Sequence, residues 1–481
     1  MLHRAALIAL VASASTAMAA DGPPDWWTEE MATTSRALAA QGLEDRIGYE
    51  MVEDLTTRIG PRVAGTPEEA RARDWAVDYL TDLGFENVRI EPFDVRLWKR
   101  GAERVEIVSP YPQPIVATTL GHSVGTPEGG VEGEIVRFPS LPALEAAPVG
   151  GLEGKIVFVD EPMTRTMDGS GYGVAVRKRS GAAVEAGKRG ALGALIRSVG
   201  TQAHRMPHTG GMYYAKDITP VPIAAISPPD ADQLARMLEL DEGPVVVSME
   251  LRATGGGRTD AAETGGLPGA DILFKAPSGN VVAEIPGETD EIVIVGAHLD
   301  SWDLGTGAID DGAGVGIVTA AAKLVGDLPD RPTRTIRVVL FGSEEVGLVG
   351  ARAYAQQHAG ELDKHVIGAE SDFGADRIWR FQTRWGDKAL TEAKALFLAE
   401  LAPLGVLPGD NKASGGPDMS PLRQAGVPVA TLGQNGLDYF DLHHTPDDTF
   451  DKIDPDAFAQ NVAAYAVFIH IAANAPVDFR E

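Results

Sequence analysis

The chain contains no cysteine. Disulfides, thiolate metal ligands, a cysteine nucleophile and lipid attachment at an N-terminal cysteine are therefore excluded. Positive charge is also scarce: 42 Lys and Arg stand against 69 Asp and Glu, a net charge of -27. Nucleic acid and anionic membrane surfaces both need clustered cations, so neither is an expected partner. The acidity is explained by solubility outside the cytoplasm. Long apolar runs are missing too. The run from Ala5 to Ala12 is about half of the roughly 20 residues that a membrane span requires, and no later stretch reaches that length.

That short run has another reading. Arg4 precedes it and Ala17-Met18-Ala19 follows as a small-x-small cleavage site, the pattern of a secretory signal peptide. Residues 1–20 are expected to be removed near Ala19, leaving a mature chain that begins at Ala20 or Asp21 and is periplasmic or secreted.

What is present describes a globular protein. The hydrophobic share is 44% and the length of 481 residues suggests two or three domains. Residues 21 to 43 are polar and Ala-rich and read as a mobile lead or short cap. Helical spacing follows in Ile47, Met51, Val52, Leu55 and Ile59. Thr66-Pro67-Glu68-Glu69 then combines a Thr N-cap, Pro at the first helical position and Glu at the third, with Gly84 as the stop. Strands are expected from Val88 to Val95 and from Arg104 to Val108. Between about Ile115 and Leu251 the character changes to short strands, such as GKIVFVD (Gly154 to Asp160) and GALGALIRS (Gly190 to Ser198), with one helix around Ala182 to Lys188. The Gly-rich stretch Ala253 to Gly269 reads as a flexible return. The expected organisation is residues 21–114 as the N-terminal part of the main domain, 115–262 as a β-rich insert, and 263–481 as the bulk of the main domain.

From Asn280 onward β and α patterns alternate: strands at Asn280 to Ile285, Glu291 to Ala297, Arg334 to Phe341, His365 to Ser371 and Val427 to Leu432, and helices at Gly314 to Val325, Leu348 to His358, Leu390 to Leu401 and Pro455 to Ile471. This predicts an α/β fold with a mainly parallel central sheet and helices on both faces. The organising stretch is Glu291 to Val325. Its apolar strand ends at His298-Leu299-Asp300, where a buried strand would otherwise carry aliphatics, and a Gly-rich turn leads to Asp310, Asp311 and a helix. In such sheets the functional crevice lies outside the carboxyl ends of the strands.

Acidic residues and histidines recur at those ends: Glu344-Glu345 after Phe341, Glu370 and Asp372 after Ala369, and His443-His444 near the C-terminus. Each has a bland alternative as a helix start, a turn, a loop cap or a surface pair. One sheet, however, brings strand ends to one edge. Imidazole and carboxylate without thiols suit catalytic zinc, and a carboxylate can bridge two ions. Asp310 is the natural bridge, because a Gly-rich loop lets its backbone come close. Of the neighbours Glu344 and Glu345, one can bind metal while the other serves as base to a water whose pKa the metal lowers towards about 7.

HLDSWD, GAIDDGAG, FGSEEVGLVGA, AESDFG and HHTPDDT together resemble the co-catalytic zinc exopeptidases, which include bacterial aminopeptidases and the glutamate carboxypeptidases. The likeness to the carboxypeptidase Q branch extends through the insert in GKIVFVD, GALGALIRSVG and PHTGG. The resemblance implies two zinc ions per chain, one held by His298 and Asp372, the other by Glu345 and His444, with Asp310 shared. It implies Glu344 as general base, Asp300 on the far nitrogen of His298, and Asp311 after a peptide bond that is often cis. The substrates implied are dipeptides or short peptides, and the insert becomes a protease-associated domain that roofs the site and contributes to a homodimer. Three other readings stand beside this one: a zinc aminopeptidase of the same fold, a non-catalytic binding or scaffold protein, and a single-zinc acyltransferase such as a glutaminyl cyclase. The direction of cleavage is open at this level. Arg197, Arg384 and Lys412 are the candidate cations for a substrate carboxylate.

Overall fold

The computed structural model describes residues 22–257 and 275–481. The leader at 1–20, most of the Gly-rich return and the expected boundary after residue 262 lie outside the described residues. Two eight-stranded sheets carry the fold. The first runs Glu86–Arg96, Lys275–Ile285, Thr335–Phe341, Ile292–His298, His365–Glu370, Val429–Gln434, Ile378–Arg384 and Leu407–Pro408 in spatial order.

This sheet is mixed rather than mainly parallel. Its four middle strands, from Thr335–Phe341 to Val429–Gln434, are parallel. Lys275–Ile285 is antiparallel to both of its neighbours, and Ile378–Arg384 is antiparallel to Val429–Gln434. The reason lies partly in connection length. Only residues 286–291 separate Lys275–Ile285 from Ile292–His298, fewer than the dozen or so that a parallel crossover needs, so these strands run in opposite directions.

Ile292–His298 is buried at every position and flanked by parallel partners on both sides. Its side chains alternate between two cores. Val293, Val295 and Ala297 join a core with the helices Ala313–Gly326 and Pro455–Asn474, while Ile292 and Ile294 pack with Ala351, Tyr354, Met419 and Leu422 on the other face. Helices therefore cover both faces, as expected. Each such buried aliphatic contributes about 1.5–3 kcal/mol relative to exposure. In register, His298 lies opposite Phe341 and Gly296 opposite Glu370, so the three strands end together at one edge.

Residues 22 to 43 form an ordered cap, the second of the two expected forms, rather than a mobile lead. Most of them form the helix Glu29–Glu44, capped by the Thr28 side chain and packed on the C-terminal helix. Its buried face is Ser35, Leu38 and Gly42. A stripe of small residues does not produce an apolar periodicity, and the close approach of Gly42 to Ala463 leaves no room for a Cβ. Thr66 caps Pro67–Asp82 as expected. The helix expected from Leu390 to Leu401 is interrupted at Ala393, giving Asp387–Glu392 and Lys394–Leu401.

All strands of the second sheet fall between Glu86–Arg96 and Lys275–Ile285 of the first. It begins at Glu103, upstream of the compositional change at residue 115. Three helices accompany it rather than one: Leu141–Glu145, Ser170–Lys188 and Pro228–Glu239. Glycines at 171, 173 and 181 obscure the start of the second. The two sheets meet at a small apolar seam containing Val95, Trp98, Ala253, Trp302 and Val346. There Trp302, from the loop after His298, packs so closely on Gly121 that a Cβ at that glycine would overlap the indole.

Candidate active site

His298 ends its strand fully buried. Its Nε2 lies 3.0 Å from Asp310 Oδ1 and 3.6 Å from Asp372 Oδ1. The other oxygen of Asp310 lies 3.1 Å from His444 Nε2, which is itself 2.9 Å from Glu345 Oε2. All five expected ligand positions converge, with the Asp310 carboxylate between a His298–Asp372 pair and a His444–Glu345 pair. His443 stacks on His444 with ring centroids 3.5 Å apart, and its Nε2 is 3.6 Å from Asp310 Oδ2. Among the two histidines, His444 is the one recorded within ion-pair distance of both Asp310 and Glu345.

Local structure explains how these groups are held. The Asp310–Asp311 peptide is cis. Asp311 accepts from the His298 amide at 3.1 Å and the Gly314 amide at 3.0 Å, tying the strand end to the start of the next helix. Asp300 approaches the far nitrogen of His298 through both its main chain and its carboxylate. The atom within hydrogen-bond distance of His298 Nδ1 is the Asp300 main-chain oxygen, at 2.9 Å; the carboxylate stands at 3.6 Å and accepts from the Glu344 amide at 3.0 Å. A side chain two residues past a strand end projects from its own backbone differently from the carbonyl, and the sequence does not reveal which one reaches back.

The electrostatics are strained by like charge. Burial opposes ionisation of Asp310, but His298 and His444 outweigh it and hold the carboxyl well below its usual range. Burial raises Glu344 well above the usual range, with Asp372 and Glu345 adding to it and His298 opposing. Burial likewise pushes Glu345 up to about 7. Asp310 Oδ2 and Glu345 Oε1 are buried and make no hydrogen bond, even though His444 Nε2 approaches the first. Oxygens and imidazole nitrogens that crowd together without donor–acceptor geometry fit cations better than they fit one another. His298, Asp310 and Glu345 offer ligand atoms all within 4.8 Å, as do His298, Asp311 and Asp372.

Two supports came unannounced by residue pattern. Arg62 is fully buried and donates to the main-chain oxygens of Gly60, Leu299, Thr306 and Gly307 at 2.7–2.9 Å, gripping the loop that carries Asp310. Segment 207–211, the PHTGG of the insert, reaches the adjacent histidines His443 and His444: His208 Nδ1 lies 2.7 Å from the His443 carbonyl, and the Thr209 carbonyl lies 3.2 Å from His444 Nδ1. The only available signal for the second was the PHTGG motif.

A cavity of about 540 Å³ opens over the cluster, lined among others by Glu344, Glu345, Asp372, Tyr172, Phe373 and Phe440. None of the three expected carboxylate-binding cations lines it. Arg197 pairs with Asp160 and Asp232 in the second sheet, Arg384 donates to the carbonyls of Ala413 and Lys412, and Lys412 is outside the lining. The lining arginines are Arg179, from the insert, and Arg380. Charge at a cavity is a property of tertiary placement, which adjacency in sequence does not supply.

The model of peptidase family M28 matches residues 280–469. Carboxypeptidase Q of Bos taurus is 34% identical over 439 residues, spanning 91% of this chain and 87% of the relative. A crystal structure of a peptidase M28 precursor from Shewanella amazonensis is 48% identical, covers 94% of this chain and 99% of its own, and superposes with a TM-score of 0.89. An aminopeptidase from Aneurinibacillus shares the fold, at 20% identity and a TM-score of 0.62 over 91% of this chain and 97% of its own. Identity above 30% across most of both chains, on a fold whose strand ends gather these side chains, means that the chain belongs to peptidase family M28 and is a metal-dependent exopeptidase.

Proposed function

We propose that the protein is an exported co-catalytic zinc exopeptidase, of carboxypeptidase Q type, that hydrolyses dipeptides or short peptides. The observation that carries this reading is the placement of Asp310, with one carboxylate oxygen toward His298 and the other toward His444. His298 and Asp372 would hold one zinc, Glu345 and His444 the other, and Asp310 both. Histidine and carboxylate donors with no thiolate are the ligand set of catalytic zinc. When bound, the ions supply Lewis acidity: they polarise the scissile carbonyl and acidify water.

The chain's own residues do the rest. Glu344, on the same cavity wall and not needed as a ligand, takes the proton of the attacking water and passes it to the leaving amine. Asp300 anchors the Glu344 amide, which fixes the base relative to the strand end. The cavity volume suits a small ligand. The inserted sheet, whose strands run from Glu103 to Leu251, acts as a protease-associated domain that roofs the site; the contact of Thr209 with His444 supports this. The Arg4 to Ala19 leader directs export.

Metal analysis of dialysed protein tests the reading, together with hydrolysis of a dipeptide panel. Two zinc per chain with dipeptide turnover is expected. One metal per chain would move the assignment towards a single-zinc acyltransferase, and a metal-free, inactive protein would move it to a scaffold.

A further inference from the structure

The turn that carries Glu344 is braced from behind by a row of buried polar groups. Ser343, the residue before it, is fully buried and has a φ of +61°, a left-handed conformation that residues other than glycine adopt at a cost. Its Oγ lies 3.0 Å from Ser278 Oγ, in the strand Lys275–Ile285, and Ser278 Oγ donates to Glu69 Oε1 at 2.9 Å. Glu69 is enclosed in the helix Pro67–Asp82, where its other oxygen pairs with Arg73 and accepts from the Gly65 amide at 3.3 Å. A hydroxyl has one hydrogen. Ser278 gives its own to Glu69, so Ser343 is the donor between the two serines, and the row runs one way, from Ser343 to Ser278 to Glu69. Asn280 stands on the same strand face as Ser278; it accepts from the Gly342 amide at 3.1 Å and donates to the Gly350 carbonyl at 2.9 Å. Asn280 thus holds the ends of the turn, and the serine pair holds the one residue next to the base.

We propose that Ser278, ordered by Glu69, is a positioning residue for the base Glu344 and acts through the Ser343 hydroxyl. This rests on the exopeptidase reading above, with Glu344 as base. Glu344 is tied through its main chain: its amide donates to Asp300 Oδ1 at 3.0 Å, and its carbonyl accepts from the Gly347 and Leu348 amides at 2.7 and 2.9 Å. The direction of its carboxylate therefore follows the backbone at Ser343, whose torsion the hydroxyl fixes. A displacement of about 1 Å in a reacting group costs up to about 100-fold in rate. Relief of backbone strain does not explain the serine, because glycine takes positive φ at no steric cost and would suit the turn better. Packing does not explain it either, since a buried hydroxyl is costlier than a methyl unless its hydrogen bonds are made. What the two serines add to the turn is a directional tie from the N-terminal helix to the base.

The test measures kcat and KM for a dipeptide, zinc content and thermal midpoint on wild type, Ser278→Ala, Ser343→Gly, Glu344→Gln and the Ser278→Ala, Glu344→Gln double variant. Ser278→Ala is expected to lower kcat roughly 10–100-fold, with KM within about twofold and zinc content at the wild-type level. Ser343→Gly should lose as much kcat with its midpoint close to wild type, because the left-handed strain goes together with the hydroxyl. In the Glu344→Gln background the serine change should cost less than about twofold, the signature of two residues that act as one unit. Crystal structures of metal-free wild type and Ser278→Ala give a readout without turnover: the Glu344 carboxylate should be displaced in the variant while Asp310, Glu345 and His444 stay in place. A wild-type kcat in Ser278→Ala and Ser343→Gly would overturn the proposal and leave the base reading intact. An equal loss in both backgrounds, or loss of zinc from Ser278→Ala, would overturn it too, because either marks a general structural role. Should Ser278→Ala not fold, Ser343→Gly carries the same comparison. Full activity in Glu344→Gln would refute the base itself, and failure of zinc-loaded wild type to cleave any dipeptide would refute the exopeptidase reading, in each case taking this proposal with it.

Discussion

Thr209 and His444 are joined at both ends of their main-chain and side-chain reach: the Thr209 amide donates to the His444 carbonyl at 3.0 Å, and the Thr209 carbonyl stands 3.2 Å from His444 Nδ1. One residue belongs to the inserted sheet, the other to the strand-end cluster. The insert therefore fixes the orientation of an imidazole at the centre of the site, in a residue whose φ is +62°, a conformation that L-residues adopt only when their surroundings impose it.

Arg100 transmits that contact. Its side chain is buried and donates to Thr118 Oγ1 at 2.7 Å, to Thr209 Oγ1 at 2.9 Å and to Asp303 Oδ1 at 2.6 Å. It thus links the insert to the loop after His298. Arg100→Met is expected to weaken metal binding by about 10–100-fold, the usual effect of removing a support behind a ligand. Competition against a chromogenic chelator measures it. Unchanged affinity would mean that the Thr209–His444 contact stands without this anchor.

Glu344→Gln keeps the shape of the side chain and removes its basicity. The expected loss in kcat is about 10²–10⁴-fold, the range for a positioned general base, with metal content near wild type because Glu345 is the neighbour that reaches His444. Steady-state kinetics with metal analysis on the same sample decide the matter. A variant that retains most of its activity would place the base elsewhere.

Much of this site was legible because its residues interrupt patterns. His298 and Asp300 end a run of aliphatics, and Asp310, Glu344, Glu345 and Asp372 follow strands or a glycine turn, so a sheet edge predicts their meeting; His444 instead follows the short helix Tyr439–Leu442. The supports were not legible for the opposite reason. Arg62 looks like one more arginine, and its importance comes from burial among carbonyls. The helix Glu29–Glu44 escaped notice because packing against Ala463 selects small residues rather than large apolar ones. The antiparallel flanks of the sheet depend on connection length and register, to which a strand's own residues are indifferent.

Lys178 supplies a pH dependence away from the cluster. It is fully buried in the helix Ser170–Lys188, its Nζ donates to the Glu161 carbonyl at 2.7 Å, and burial lowers its pKa to about 7. The ordinary value is 10.5. Between about pH 7 and 10.5 the unfolded chain holds a proton that the folded chain does not, so this lysine makes stability rise with pH over that window. At 1.36 kcal/mol per unit the effect is capped at about 5 kcal/mol. Denaturant unfolding of wild type and Lys178→Met at pH 6.5, 8 and 9.5 should show the variant's relative stability declining as pH rises. A pH-independent difference would place the lysine's titration outside this window.

Arg62 gives the last prediction, and it separates stability from metal binding. The guanidinium is enclosed, and burial brings its pKa down only to about 10 because Asp448, Asp300 and Asp311 oppose the shift. It remains a cation at every working pH, next to the acidic cluster. Removing it has two consequences. The carbonyls of Leu299, Thr306 and Gly307 lose a buried donor, at about 1–3 kcal/mol for each group left unsatisfied, and the repulsion among the carboxylates loses a fixed counter-charge. Arg62→Met should therefore lower the thermal midpoint of the metal-free protein sharply. Arg62→Lys keeps the charge and cannot reach all four carbonyls from one ammonium, so it should fold while binding zinc at least about tenfold more weakly, through a loosened Asp310 loop. Calorimetric unfolding of both variants with and without zinc, beside a zinc titration, distinguishes the two effects. A wild-type zinc affinity in Arg62→Lys would show that Arg62 serves the fold alone and leaves the position of Asp310 to the helix that follows it.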